Sequence, residues 1–327
     1  MSTSVKKQLI AALFEANNEF LSGQALAEMI GCSRTAIWKQ IEELRKSGFE
    51  IEAIRKKGYR IIHKPDQLSE NEILMGLETS VLGRNILYFD TIDSTQNKAN
   101  EVARMDAPEG TIVIAEEQTS GRGRMAREWH SSKHKGIWMS LILRPQLPPE
   151  KAPQFTLITA IAIARAIEEV TGKEPEIKWP NDILFHGKKM TGILTELHSE
   201  ADKINFIIIG IGLNVNQEMP DFPEEVREIA TSLAIENGKK VSRVILLQHI
   251  LKNFEKYYQL YLEKGFGTLK VIWESYVTSI GKSIIARTIS GEIVGKALGI
   301  TEEGVLKIQD AEGQIHYVYS ADIEIKP

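Results

Sequence analysis

Cysteine is almost absent from this chain, since Cys32 is the one cysteine among 327 residues. A single cysteine excludes an internal disulfide, which is typical of proteins from reducing compartments. Long apolar runs are also missing, because the two most apolar stretches, residues 155–164 and 204–215, are much shorter than a membrane span. The apolar run at residues 9–14 is too short for a secretory signal peptide. These absences predict a cytoplasmic protein with no membrane partner.

A large excess of charge of either sign is likewise missing. The net charge is −4, and 43% apolar and 26% charged residues are ordinary values for a soluble globular protein. The charge is nevertheless uneven, because residues 1–64 carry a net +4 and the remainder carries −8. A basic N-terminal segment on an acidic body favours contact between that segment and nucleic acid. The length suits two or three domains.

Residues 1–65 have the pattern of three helices followed by a hairpin. Gly31 is a natural end for the second helix, and Ser33 can cap the third. Gly48 closes the third helix. This order of elements predicts a winged helix-turn-helix DNA-binding domain, followed by a linker at residues 64–66.

The third helix would present its first turn to DNA. In a helix-turn-helix the second helix of the motif enters the major groove, so the segment Gly23–Glu42 would hold the recognition surface. Arg34 can pair with guanine edges or phosphate, whereas Trp38 is expected to pack. A three-helix interaction module is the alternative, in which the basic residues serve only solubility. The candidate DNA-binding residues are Ser33, Arg34, Thr35 and Lys39 and, at the tip of the wing, Arg55, Lys56 and Lys57.

The remaining chain divides into two patterns. Residues 66–273 alternate strands with helices, including long amphipathic helices at 153–170 and 241–262, which predicts an α+β domain with a mixed β-sheet and flanking helices. Residues 274–327 contain short strands separated by turn signals, which predicts a small SH3-like β-barrel. The strand candidates of the central domain are residues 86–89, 111–116, 137–143, 192–197 and 204–213.

A glycine–arginine run at Gly121-Arg122-Gly123-Arg124 is a candidate anion-binding loop. Glycines let backbone amides approach a ligand closely, and guanidinium groups bind carboxylate or phosphate by paired hydrogen bonds. Activation of a carboxylic acid by ATP needs such cations, because the carboxylate and the α-phosphate repel each other. An arginine-rich nucleic-acid loop is the alternative, which a single copy without surrounding Gly/Ser bias disfavours.

A second run, Lys178-Trp179-Pro180-Asn181-Asp182, lies where a strand meets a turn. By itself such a run is typical of a structural turn with a buried tryptophan. The strand that follows Lys189 would form a hairpin with it, and this hairpin would bring Asp182 and Lys189 toward the same edge.

These motifs together resemble those of biotin protein ligases. The matching segments are Asp93–Thr95, Gln118–Arg124 with Arg127 and Trp129, Lys178–Asp182, Lys189–Leu194, Gly210–Asn214 and Ala230–Leu233. Their order and spacing agree with the family. With the N-terminal helix-turn-helix, the resemblance extends to the bifunctional biotin ligases that are also biotin operon repressors, over nearly all of the chain, and it implies a class II synthetase-like central fold.

The resemblance implies a two-step reaction and a regulatory role. Biotin and ATP with Mg²⁺ would give biotinyl-5′-AMP, and one lysine of a biotin carboxyl carrier protein would then attack this mixed anhydride. A homodimer formed when biotinyl-5′-AMP is bound as corepressor would bind an inverted-repeat operator. The alternatives are a non-catalytic biotin-responsive repressor and a lipoate ligase.

The resemblance also implies roles for individual residues. Lys189 would neutralise charge in the transition state, Trp129 would stack on adenine, and Asn181 with Asp182 would serve the Mg²⁺–triphosphate or the incoming lysine. The implied catalytic residues are Arg122, Arg124, Asp182 and Lys189. The implied biotin-binding residues are Ser94, Thr95, Gln96, Gln118, Arg122, Gly123, Arg124, Lys189, Gly192 and Asn214. The implied ATP- or adenylate-binding residues are Arg124, Arg127, Trp129, Lys178, Asn181 and Lys189.

One position departs from the family pattern. Two residues after the second arginine of the loop the family usually has glycine, where this chain has Ala126. If the backbone there is left-handed, alanine is strained.

Overall fold

The structure is a computed structural model that forms two compact units, residues 1–66 and 67–327. It describes residues 2–16, 19–46, 49–63 and 66–325. Gly48 and the first two residues of the predicted linker, Lys64 and Pro65, lie outside the described residues.

Three helices and a two-stranded hairpin make up the N-terminal unit. They are α1 (Ser2–Glu15), α2 (Gly23–Ile30), α3 (Arg34–Lys46), β1 (Glu50–Ile54) and β2 (Gly58–His63). Helix α2 ends at Gly31, whose φ of 70° suits glycine, and Ser33 caps α3 by accepting a 3.1 Å hydrogen bond from the Ala36 N–H. Ile37 and Ile41 are fully buried in the core of this unit. The predicted winged helix-turn-helix order is therefore confirmed.

The predicted DNA-binding side chains lie on the surface of the N-terminal unit. Arg34 and Lys39 are exposed on α3, and Arg55, Lys56 and Lys57 are exposed at the hairpin tip. The packing prediction for Trp38 is wrong, because this side chain is 54% exposed. The buried face of α3 is occupied by its isoleucines, and the residue after Ile37 points to the outer face.

A seven-stranded mixed sheet forms the centre of the second unit, as the sequence predicts. Its order is β3-β4-β5-β9-β8-β7-β6; β3 and β4 are parallel, and every other neighbouring pair is antiparallel. The strands are β3 (Ile86–Phe89), β4 (Ile112–Ala115), β5 (Gly136–Leu143), β6 (Glu176–Lys178), β7 (Asp182–Phe185), β8 (Lys188–Glu200) and β9 (Lys203–Asn214).

Helices cover both faces of this sheet. They are α4 (Glu70–Met75), α5 (Thr95–Arg104), α6 (Ala152–Thr171), α7 (Leu233–Asn237), α8 (Arg243–Lys264) and α9 (Gly267–Ser275). Alternate residues of β5 belong to different cores: Met139 packs in the large core with α6 and α8, and Ile142 packs with α5. Among the described residues, no helix is both long and apolar enough to cross a membrane.

The C-terminal strands form a second sheet that shares the large core. It is antiparallel with the order β13-β12-β11-β10-β14, so β13 and β14 are its edges. The indole N–H of Trp179 donates a 3.1 Å hydrogen bond to the Gly304 carbonyl, which ties the turn before β12 to the central sheet. Trp179 is therefore the buried structural residue that its turn also suggested. The strands are β10 (Ser283–Thr288), β11 (Gly291–Ile300), β12 (Leu306–Gln309), β13 (Ile315–Val318) and β14 (Asp322–Ile325).

Glu255 on α8 supports the turn before β3, and we expect Glu255→Gln to destabilise the protein in a pH-dependent way. Its carboxylate accepts hydrogen bonds of 2.6, 2.9 and 2.8 Å from the backbone N–H groups of Ser80, Val81 and Leu82. Burial by itself raises the pKa of Glu255, but these donors outweigh burial, and the pKa lies below its ordinary value of 4.5. The charged form therefore stabilises the fold by about 1–2 kcal/mol, a contribution that is present above pH ~4.5 and lost as the pH falls through the lower native pKa.

Thermal unfolding followed by circular dichroism from pH 7 to pH 3.5 measures this effect. Glu255→Gln should lower the midpoint by a few degrees at pH 7, and the difference from wild type should shrink at acid pH. Glu263→Gln, on the exposed side of the same helix, is the matched control and should change nothing. A difference between Glu255→Gln and wild type that is constant with pH would contradict the prediction.

Candidate active site

An open cleft of about 870 Å³ lies beside the N-terminus of α5. Its walls come from the loop after β4, the β7–β8 hairpin, β9, the segment after β9 and the C-terminal sheet. All the residues that the sequence predicts for biotin and ATP line this cleft: Ser94, Thr95, Gln96, Gln118, Arg122, Gly123, Arg124, Arg127, Trp129, Lys178, Asn181, Asp182, Lys189, Gly192 and Asn214.

Glycines of the central sheet create the floor of the cleft. Ile208 of β9 packs against α5, whereas Gly210 and Gly212, the next two residues on the same face, carry no side chain. Gly212 pairs with Gly192 of β8. The ring of Trp129 lies in the resulting depression, since a Cβ atom at Gly212 would come within 2.4 Å of it. The floor therefore offers a flat apolar surface with an aromatic ring upon it.

Hydroxyl and amide groups line the end of the cleft nearest α5. The Thr95 hydroxyl donates to Oε1 of Gln118 at 3.0 Å and lies 3.0 Å from the Ser140 hydroxyl, which donates to Oε1 of Gln96 at 2.9 Å. Oγ of Ser94 is buried and has no hydrogen-bond partner among the described residues. This end of the cleft can both donate to and accept from a neutral polar ring.

Lys189 and Asp182 meet across the β7–β8 hairpin. Lys189 Nζ lies 2.7 Å from Oδ1 of Asp182 and 5.5 Å from the ring centroid of Trp129. The tight turn at His186 and Gly187, where φ is 48° and 75°, brings the two strands into register. The hairpin therefore brings Asp182 and Lys189 together, as the sequence predicts. Lys189 also lines the cleft beside the aromatic ring of Trp129.

Arg124 and Arg127 line the cleft and also contact the C-terminal domain at β14 and the bend before it. Arg124 donates to Oδ1 of Asn181 at 2.7 Å and to the Ser320 hydroxyl at 2.5 Å. Arg127 forms a 2.5 Å ion pair with Asp322. The hydrogen bond from Arg127 holds the pKa of Asp322 below its ordinary value, so this carboxylate is ionised at neutral pH. Arg122 instead pairs with Glu196 at 2.7 Å.

The segment between β9 and α7 closes one side of the cleft. Lys189 anchors it by backbone pairing, because its N–H donates to the Ile229 carbonyl at 2.7 Å and its carbonyl accepts from the Thr231 N–H at 2.9 Å. Phe222 and Val226 of this segment line the cleft.

Three segments of the chain match known families. Residues 88–214 match the Biotin/lipoate A/B protein ligase family, residues 5–60 the HTH domain, and residues 279–326 the Biotin protein ligase C terminal domain. The Bifunctional ligase/repressor BirA of Bacillus subtilis (strain 168) is 54% identical over 325 residues, which cover 99% of this chain and 100% of that protein. The chain belongs to the biotin protein ligase family.

More distant relatives agree with this family membership. The Bifunctional ligase/repressor BirA of Escherichia coli (strain K12) is 29% identical over 307 residues, which cover 94% of this chain and 92% of that protein. The solved structure of the biotin protein ligase from Aquifex aeolicus in complex with biotin and ATP is 32% identical, with a TM-score of 0.65, and covers 74% of this chain and 99% of that one.

The backbone at Ala126, the position where the family pattern predicts glycine, is left-handed in this biotin protein ligase. Ala126 has a φ of 56°, and the preceding Met125 has a φ of 55°. The position does adopt the left-handed backbone that favours glycine, so alanine there costs about 1–2 kcal/mol in this loop conformation. Hydrogen bonds across the loop offset this strain, since the Gly123 N–H donates to the Arg127 carbonyl at 2.8 Å.

Sequence reasoning missed several residues that line or support the cleft. Ser140 is a lone hydroxyl within an otherwise apolar strand, and this pattern is a usable signal. Asp322 lines the cleft, whereas Ser320 and Glu196 contact its arginines from outside. These three residues carry no signal in the sequence, because only the packing of remote segments brings them to the loop arginines.

Proposed function

We propose that this protein activates biotin with ATP, giving biotinyl-5′-AMP and pyrophosphate, and then transfers biotin to a lysine of a biotin carboxyl carrier protein. The observation that carries the proposal is that one cleft holds a neutral hydrogen-bonding end around Thr95 and Gln118 and a cationic part around Arg124 and Lys189. A substrate with a polar uncharged ring and a carboxylate fits these two parts, and biotin has both groups.

In the first step a carboxylate oxygen of biotin attacks the α-phosphorus of ATP. A new oxygen–phosphorus bond forms, the bond to the β-phosphate bridge breaks, and pyrophosphate leaves with that electron pair. Arg124 and Lys189 supply positive charge where the two anions approach each other, which is the electrostatic stabilisation that this step needs. Trp129 offers its ring for stacking on adenine.

In the second step the ε-amine of the acceptor lysine attacks the acyl carbon of biotinyl-5′-AMP. The amide bond forms, the bond from the acyl carbon to the AMP oxygen breaks, and the amine releases a proton. The loop that carries Arg122 and Arg124 keeps water from the anhydride by covering it.

Mg²⁺ would arrive with the ATP triphosphate. Asp182 and Asn181 provide a carboxylate and an amide oxygen, which are the hard donors that Mg²⁺ prefers, but one oxygen of each is already within 2.7 Å of a cationic side chain. The second carboxylate oxygen of Asp182 is therefore the protein donor that suits the ion. Bound Mg²⁺ would supply further neutralisation of the phosphates. We propose binding of the incoming acceptor lysine as the alternative role of Asp182.

We also propose that biotinyl-5′-AMP acts as corepressor, with a homodimer binding an inverted-repeat operator through its helix-turn-helix units. The exposed Arg34 and the basic wing tip support DNA binding, because these groups can reach base edges and phosphates. The domain boundaries in this proposal are residues 1–65, 66–273 and 274–327, and the protein acts in the cytoplasm, a location that its single cysteine favours.

We expect Arg34→Ala to weaken biotin-dependent operator binding by about tenfold or more, because a bidentate arginine–guanine contact contributes about 1–3 kcal/mol. Fluorescence anisotropy with a labelled palindromic operator measures the effect at fixed salt. Biotin transfer by the same variant should equal that of wild type. Glu15→Gln, an exposed change on α1 outside the Gly23–Glu42 segment, is the control for surface charge. Unchanged operator binding by Arg34→Ala would contradict the assignment of α3 as the reading helix.

Exchange of labelled pyrophosphate into ATP tests the ligase proposal directly. Exchange that depends on biotin, followed by transfer to a carrier domain, is expected. Biotin-responsive DNA binding without exchange would instead favour a non-catalytic repressor. Exchange with lipoate in preference to biotin would favour a lipoate ligase.

A further inference from the structure

The guanidinium of Arg122 is held by the carboxylate of Glu196, which lies on β8 two residues beyond the matching segment Lys189–Leu194. Nη1 of Arg122 lies 2.7 Å from Oε1 of Glu196, and Nη2 lies 3.3 Å from Oε2, so the pair is bidentate. Nη2 also donates to Oδ1 of Asn97 at 3.2 Å. A bidentate pair fixes the orientation of the arginine as well as its position.

Glu196 holds a second residue of the cleft at the same time. Its Oε2 accepts a 3.0 Å hydrogen bond from Nε2 of Gln96, which is only 3% exposed. Oε1 of Gln96 accepts from the Ser140 hydroxyl, and Ser140 in turn contacts the Thr95 hydroxyl. A continuous chain of hydrogen bonds therefore connects the arginine loop with the neutral end of the cleft.

The position of Glu196 in the sheet explains why it can bridge the two. Glu196 lies on β8 opposite Ile208 of β9. It is four residues after Gly192 on the same strand, so both residues lie on the same face of the sheet. Its side chain is 24% exposed and that of Arg122 is 36% exposed, so the pair is partly shielded from water. A carboxylate on this face needs polar partners, and Arg122 with Gln96 are those partners.

We propose that Glu196 is a positioning residue that sets both Arg122 and Gln96 for biotin binding; this rests on the proposed ligase function. Arg122 then acts as the anchor of the loop, and the charge that faces carboxylate and phosphate comes from Arg124 and Lys189. The bond from Glu196 to Gln96 couples the loop to the neutral end of the cleft, so loss of the carboxylate disturbs both.

Limited proteolysis by trypsin tests the anchor without reference to activity. In the ligand-free protein, Glu196→Gln should speed cleavage of the Arg122–Gly123 bond by about tenfold, because trypsin needs the arginine side chain and the neutral amide holds it less firmly. Glu200→Gln, at the exposed end of the same strand, should cleave like wild type. Mass spectrometry identifies the bond. Equal rates for wild type and Glu196→Gln at this bond would overturn the proposal.

Pyrophosphate exchange supplies the second readout. Glu196→Gln should raise the KM for biotin about tenfold, with the KM for ATP within about twofold of wild type and an unchanged Tm. Adding Arg122→Gln to Glu196→Gln should change little more, because the two groups act as a pair. Glu196→Asp should recover part of the biotin KM. A lower Tm together with raised KM values for both biotin and ATP would instead indicate a merely structural role. Additive effects of the two substitutions in the double variant would indicate the same, and either result would overturn the proposal.

Failure of the ligase function and failure of the positioning role of Glu196 give different results. If wild type shows no biotin-dependent exchange, the ligase function fails, and with it the role of Glu196 in biotin binding, whatever trypsin shows. If wild type is active and Glu196→Gln leaves its biotin KM unchanged, the function stands and the positioning role fails.

Discussion

Replacement of Lys189 by alanine is expected to slow biotin-dependent pyrophosphate exchange by about 10²–10³-fold, with a much smaller change in the KM for biotin. Removal of one pre-positioned donor from a developing charge has an effect of this size in other active sites. The ammonium of Lys189 is 2.7 Å from Asp182 and close to the Trp129 ring, so its position is set before substrate arrives.

The fold around Lys189 does not depend on its side chain. The backbone of Lys189 pairs with the segment at residues 229–231, and this pairing does not depend on the side chain. Lys189→Ala should therefore keep the fold and the Tm of wild type. Lys188→Ala, one residue earlier on β8, removes the same charge from the opposite side of the strand and is the matched control. If Lys189→Ala and Lys188→Ala exchange pyrophosphate at the same rate, the prediction is contradicted. Another residue of the cleft would then neutralise the charge in the transition state.

The second large effect is expected from Arg243→Met, which should lower the free energy of unfolding by about 3–5 kcal/mol. Arg243 and Glu116 are fully buried and form a 2.7 Å ion pair. Glu116 also accepts from the Leu68 N–H at 2.8 Å, and Arg243 donates to the Gly136 carbonyl at 3.1 Å. Removing the guanidinium leaves the Glu116 carboxylate in the core with the Leu68 N–H and the His134 ring, 3.1 Å from Oε2, as the partners of its oxygens. The lost charge-assisted hydrogen bond in this buried site is the physical source of the loss.

Urea denaturation followed by circular dichroism measures the change. Lys252→Met on the same helix is the control, because Lys252 pairs with Glu78 on the surface and such pairs contribute little. Addition of Glu116→Gln to Arg243→Met should recover part of the loss, since a neutral amide can still accept from Leu68. Equal stability of wild type and Arg243→Met would show that the buried pair is not coupled to folding.

Local pattern was sufficient for the winged helix-turn-helix, for the two long helices of the central domain and for the motifs that lie within one turn or hairpin. The shorter helices α4, α5, α7 and α9 were not predicted. The helical spacing of Ile37 and Ile41 identified the core face of α3, because burial follows the period of the helix. The hairpin after Asp182 predicted its approach to Lys189, because two short strands joined by a tight turn leave few alternative registers. Trp38 was misjudged, since the aromatic residue type alone does not specify which face it occupies.

The sequence by itself therefore determined the order of the domains, the family, and most of the residues that surround the cleft. Only the tertiary structure decided how remote side chains complete it. Glu196 meets Arg122, and Asp322 meets Arg127, across 74 and 195 residues of chain. Local propensity acts over a few residues, whereas such pairs depend on how separate sheets and loops pack together. For this reason the partner of each loop arginine could be read only from the folded molecule.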